Sequence, residues 1–230
     1  MYPLRLRALR WYNRAVPKGR HALGSGIFSD DFVFQIRNLI RSHHLIYPQV
    51  PPQGIYFEAL VEHAFRLTRT PFTPVEPTAR NQPTHDLVVA KARISLKTET
   101  GTSTHPDDIH MTKLCTTERE PWTARVLIGR VIEHLSRYDI ILMLRAIWEL
   151  PVIHYQLLEI PADTLRLIKR ANPQPTGRRA GRKSLGADVL RGGEVLFHVH
   201  FDGSDGKCSL RGLHIRDCVM LATWDLQIED

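Results

Sequence analysis

The segment DIILMLRAIW, residues 139–148, narrows most sharply what this chain can fold into. Its core, Ile140 to Leu144, is an unbroken apolar run that no other exceeds in length, and no stretch reaches the ~18 residues that a membrane-spanning helix needs. A short run of this kind reads as a strand buried inside a sheet. A length of 230 residues suits one large domain, and 43% hydrophobic with 24% charged residues excludes wholesale disorder and collagen-like repeats.

Around that strand the residues predict a mixed α/β domain spanning 1–230. Phe32, Ile36, Ile40 and His44 recur at helical spacing over 30–46, behind Ser29 as N-cap. PQVPPQG (48–54) ends that helix, and a second runs from about 55 to 69, with Phe57, Leu60, Val61, Ala64 and Phe65 on its apolar side. A proline-rich loop extends to Thr84. Strands follow at 86–90 and 92–99, then a short helix at about 109–116. A longer helix runs from Glu120 to Tyr138 with Pro121 in its first turn, before strands at 139–148 and 152–160 and a short helix at 161–170. Residues 171–193 hold little that could pack and read as a basic loop or arm. Strands at 194–201, 208–215 and 218–228 close the chain, the last hairpin being an appendage of the main sheet.

Charge is unevenly placed. The chain carries +7, yet residues 1–20 hold six basic residues and no acid, and residues 166–191 hold eight against Asp188 alone. A polyanionic partner follows, nucleic acid being the commonest. Within the second segment Arg178, Arg179, Arg182 and Lys183 are the candidate duplex contacts, able to reach phosphates or fork onto guanine. The three cysteines include no CxxC pair, which points to a reducing compartment; no secretory signal is visible.

Chemistry concentrates in HDLVVAKARISLKTE, residues 85–99. Arg93, Ser95, Lys97 and Glu99 alternate with Ile94, Leu96 and Thr98, so one strand face is polar and the other largely apolar. A tight turn near Ala90 and Lys91 would set Asp86 across from Ser95 to Lys97. Carboxylates beside an ammonium are what phosphodiester hydrolysis needs: Mg²⁺ takes one or two carboxylates plus waters and phosphate, and a cation steadies the developing charge. Asp86 and Glu99 are candidate ligands, Lys97 the cation, and Glu62 on the preceding helix a third carboxylate.

The pattern resembles the PD-(D/E)XK nuclease superfamily, and more closely the SmaI-like type II restriction endonucleases. VEHAF (61–65), HDLVVAKARISLKTE (85–99), IHMTK (109–113), IEHLSRYDII (132–141), YQLLEIP (155–161), FDG (201–203) and CVMLATWDL (218–226) carry the likeness in order and spacing. The resemblance implies a restriction-endonuclease-like mixed β-sheet flanked by helices, with a C-terminal β-hairpin region. It implies a bacterial, cytoplasmic homodimer that cuts double-stranded DNA with Mg²⁺ at a GC-rich palindrome such as CCCGGG, leaving blunt ends. The superfamily's Asp falls on Asp86 and its Lys on Lys97. His85 stands where proline is usual, and Ser95 where an acid is usual, so the second acid must come from Glu99 or Glu62. His110 and Lys113, in a matching segment, are candidate phosphate contacts. A structure-selective or repair nuclease, and an inert DNA-binding module, are the alternative readings.

Other constellations carry less. His198, His200 and Asp202 share a strand face, and Cys208 and Cys218 lie nearby, but two strand histidines are more often surface pairs. Trp122, Trp148 and Trp224 lie in apolar runs and read as core. No P-loop, dinucleotide fingerprint or GxSxG occurs, so no nucleotide cofactor is implied.

Overall fold

A computed structural model describes residues 24–75, 85–117, 122–176 and 184–228. In chain order its elements are α1 (Asp30–Ile46), α2 (Ile55–Leu67), β1 (Phe72–Pro74), β2 (Leu87–Val89), β3 (Ala92–Glu99), β4 (Asp108–Thr116), α3 (Ala124–Leu135), β5 (Ile140–Glu149), β6 (Val152–Pro161), α4 (Ala162–Arg166), β7 (Gln174–Pro175), β8 (Ser184–Arg191), β9 (Glu194–Asp202), β10 (Lys207–His214) and β11 (Val219–Gln227). Two sheets form. One has six strands in the order β1-β2-β3-β5-β6-β11, the other five in the order β4-β10-β9-β8-β7.

The run at 140–144 is the centre of the larger sheet, as its composition predicts. β5 pairs parallel with β3 and antiparallel with β6. Its side chains alternate between two cores. Ile140, Leu142, Leu144 and Ala146 pack with α1, α2 and β11, whereas Ile141 and Met143 pack with α3 and the smaller sheet. A strand covered on both faces has no polar side, which is why the run reads as continuous.

The α1 stripe is as predicted: Phe32, Ile36 and Ile40 are fully buried, and the Ser29 hydroxyl caps the helix at Phe32 N, 3.2 Å away. Burying each such side chain contributes about 1.5–3 kcal/mol. His44 ends the stripe and links it to the sheet, its ring bonding Tyr155 Oη at 2.6 Å and the Pro48 carbonyl at 2.9 Å. Burial pulls its pKa below the ordinary 6.5, so the folded ring resists the proton that the unfolded chain accepts. Stability is therefore expected to fall as pH drops below about 6.5, by at most ~1.4 kcal/mol per pH unit from this group. Thermal unfolding between pH 7.5 and 5.5 tests it; a His44→Asn variant with an undiminished pH slope would remove His44 as the cause.

Three expectations change. Residues 109–116 form strand β4, not a helix. Ile109, Met111 and Leu114 point into the core, and β4 pairs antiparallel with β10, a partner about a hundred positions on. Within the basic segment 171–193, β7 and β8 are strands of the smaller sheet, because Val189, Leu185 and Ala187 pack on its core and β8 pairs with β9. The hairpin of the strands at 194–201 and 208–215 forms as β9–β10, but in the smaller sheet and not as an appendage of the main one, while β11 returns to the larger sheet beside β6. β11 brings Ala222, Trp224 and Leu226 into the α1–α2 core, with Trp224 stacked on Tyr155 at 5.3 Å.

Candidate active site

Asp86 and Ser95 meet as the alternation predicts. Ala90 and Lys91 both take positive φ, 47° and 72°, the backbone of a two-residue hairpin turn whose twist suits the flanking strands. That turn fixes the register Leu87 to Ile94, which sets Asp86 opposite Ser95. The Asp86 Oδ2 accepts from the Leu96 N–H at 2.5 Å and from the Ser95 hydroxyl at 3.2 Å. Lys97 lies two residues along the same face of β3, half-buried, beside Met143 of β5. This face looks towards α3 and the smaller sheet, because Ile94 and Leu96 belong to the opposite core.

Glu99 shares the face but not the place. It lies four residues from Ser95, about 13 Å at ~3.3 Å per residue. Both its oxygens are engaged: Oε1 accepts from His110 N at 3.0 Å, and Oε2 from Arg145 Nε at 2.6 Å. Burial pushes its carboxyl pKa up, and the Arg145 guanidinium pulls against that. In this structure its carboxylate ties the start of β4 to β5. Glu62 pairs with Arg66 at 2.7 Å on α2, a helix whose buried side covers the Ile94–Leu96 face. Among the described residues no three His, Cys, Asp or Glu side chains gather as a metal cluster.

Arg145, in the midst of the apolar run, is a residue that sequence reasoning passed over. It is fully buried, and all five of its N–H donors are used. Besides Glu99 it reaches Gln156 Oε1 at 2.6 Å and the carbonyls of His105, Pro106 and Asp108 at 2.6, 3.2 and 2.6 Å. It thus pins the 100–107 connection against the sheet. A lone arginine in an apolar strand was the available signal.

The expected nucleic-acid contacts divide. His110 and Lys113 stand on β4; His110 accepts from Arg211 Nε at 3.1 Å, and Lys113 is exposed. Arg178, Arg179, Arg182 and Lys183 lie outside the described residues. Their flanks, Thr176 and Ser184, are joined by a backbone hydrogen bond of 2.9 Å. His198 pairs with Asp188 at 2.5 Å, His200 faces Ser184 at 3.3 Å, and Asp202 caps the turn at Ser204, so these three serve separate local bonds. The three cysteines are buried and free. Trp224 is core, while Trp122 and Trp148 are half-buried, the latter donating to the Thr100 carbonyl at 3.0 Å.

No described helix is long and apolar enough to cross a membrane. No solved structure matches the chain. The chain is 28% identical over 225 residues to the type II restriction enzyme SmaI of Serratia marcescens, covering 94% of this sequence and 89% of that one. The SmaI family model, described as type II site-specific deoxyribonuclease, matches residues 17–226 and so takes in both sheets and the Asp86–Lys97 hairpin. With nearly the whole chain matched, the protein belongs to the SmaI family of type II site-specific deoxyribonucleases.

Proposed function

We propose that the protein is a Mg²⁺-dependent type II restriction endonuclease, cutting both strands of DNA at a short GC-rich palindrome such as CCCGGG to leave blunt ends. The hairpin that brings Asp86 to the Ser95–Lys97 face carries this reading. Mg²⁺ is commonly held by one or two carboxylates, with waters and substrate phosphate completing its shell, so a single Asp86 carboxylate in a partly open face fits it. Asp86 would hold the ion, which when bound polarises the phosphoryl oxygen and acidifies water. Lys97 stabilises the negative charge that builds on the phosphate as water attacks in line and the 3′ oxygen leaves. Ser95 fixes the Asp86 carboxylate through its hydroxyl.

A palindrome read symmetrically calls for a two-fold homodimer with one active site per strand. The corner between α1 and α2 supports such pairing, since Leu45, Ile46, Tyr47, Ile55 and Tyr56 are all exposed there, an apolar grouping larger than scattered surface residues. The basic segment around Arg178 to Lys183, with Lys113 and His110 on β4, supplies phosphate contacts. The compartment is the bacterial cytoplasm.

Digestion of a defined plasmid with and without Mg²⁺, followed by sequencing of the ends, tests activity, target and cut position together. Discrete fragments with blunt ends at one repeated site are expected. Nicking confined to flaps or junctions would favour a structure-selective nuclease, and binding without cutting an inert DNA-binding module.

A further inference from the structure

The outward face of the smaller sheet carries a row of polar side chains. In register across β4, β10, β9 and β8 stand His110, Arg211, His198 and Asp188. Their chain neighbours Ile109, Leu210, Phe197 and Val189 all enter the core, so strand alternation turns the row away from it. His198 and Asp188 answer each other at 2.5 Å. Arg211 is exposed and has no carboxylate partner among the described residues. The row starts beside the reacting strand: His110 N donates to Glu99, two residues beyond Lys97 on β3.

Arg211 is nevertheless held. Its Nε donates to His110 Nε2 at 3.1 Å. Arginine can only donate, so that imidazole nitrogen presents its lone pair and the ring's proton sits on Nδ1, available to a phosphate. Partial burial and the Arg211 charge lower the His110 pKa, which keeps the ring neutral and the acceptor in place. The bond uses one guanidinium N–H and leaves both Nη groups without a partner among the described residues. The strand is bulged on either side: its pairing with β4 shifts between Cys208 and Leu210 and again between Arg211 and Leu213, and Gly212 takes φ 72°. Bulges re-aim side chains and are over-represented beside active sites.

A guanidinium fixed at Nε and open at its Nη edge offers paired donors, the complement of guanine O6 and N7 in the major groove. A sheet keeps that edge in one place, and strands can enter that groove. We propose that Arg211 is a specificity-determining residue: its Nη groups bond O6 and N7 of one guanine in each half of the recognised site, and His110 positions the guanidinium for that contact. The inference rests on the reading of the protein as a sequence-specific endonuclease, and supplies a base-reading group for it.

The test is Mg²⁺-dependent cutting of a pool of duplexes with a randomised central segment, followed by sequencing of the cut ends. It compares the full-length chain with its Arg211→Lys, Arg211→Gln, His110→Leu, His110→Gln and Lys113→Gln variants. Salt dependence of binding to one cut sequence without divalent metal, and thermal unfolding, are measured alongside. The parent is expected to demand guanine at one position of each half-site. Arg211→Lys keeps the charge but loses the fork, so discrimination at that position is expected to fall about 10- to 100-fold while the other positions stay selective. His110→Leu relaxes the same position in part. His110→Gln, whose amide oxygen can accept from Nε, restores it, which a purely structural role would not do. Lys113→Gln, a phosphate contact, slows all sequences alike and lowers the salt slope by about one. Arg211→Lys with the parental base preference overturns the inference, as does Arg211→Gln that only flattens the salt slope, since Arg211 would then hold a phosphate. Arg211 is exposed, so both its variants are expected to melt with the parent; if one does not, the other decides. A parent that cuts nothing in the pool, or cuts every member alike, removes the endonuclease reading and this inference with it. A selective parent with equally selective Arg211 variants removes this inference alone.

Discussion

Lys97→Met is expected to slow DNA cutting roughly 10³-fold, the upper range for removing one preorganised group that meets developing charge in a dry site. The effect is confined to chemistry. Lys97 is half-buried on a polar strand face, and methionine keeps the aliphatic stem that packs beside Met143. Folding and affinity for uncut DNA are expected to be unchanged. Single-turnover cleavage with a parallel binding titration measures both. Asp86→Asn should give a comparable loss while still accepting from Leu96 N–H, whereas alanine would also orphan that donor. Cutting by Lys97→Met at the parental rate would show that another cation serves the phosphate.

Arg145→Met is expected to cost about 3–5 kcal/mol of stability, read as a lowered urea midpoint, because removing one partner of a buried pair strands the other. Glu99 would keep a buried carboxylate with only the His110 N–H for company, and the carbonyls of His105, Pro106 and Asp108 would lose their shared donor. Adding Glu99→Gln should recover part of the loss by removing the stranded charge, while the His105 and Asp108 carbonyls still lack the guanidinium; Pro106 keeps the Gln156 amide as a donor. A loss below about 1 kcal/mol in the single variant would mean that solvent replaces the guanidinium, contrary to its complete burial.

What could be read from the residues was whatever local rules decide. The hairpin that brings Asp86 to Ser95 follows from strand alternation and two residues at its tip, and α1 from a single apolar stripe with its cap. The central strand follows from its own composition. What escaped depends on partners far along the chain. β4 has an irregular pattern because it is a bulged strand on β10, so its short span imitates a helix. The identity of Glu99 as a tether required Arg145, 46 positions on, and the strand periodicity that correctly gave its face says nothing about who answers it there. The missing acid at Ser95 was legible; what stands in the neighbourhood of that gap was not.

The return of β11 to the larger sheet has a temporal consequence. The wall formed by α1 and α2 is built from the first third of the sequence, yet Ala222, Trp224 and Leu226 must be in place before it closes. A ribosome part-way through this message therefore holds a cleft without its keystone, with Tyr155 lacking the indole it stacks on. Long-range pairing of this sort is slow to nucleate. Until residues 219–227 have been made and paired with β6, that core stays open on the side that Ala222, Trp224 and Leu226 close.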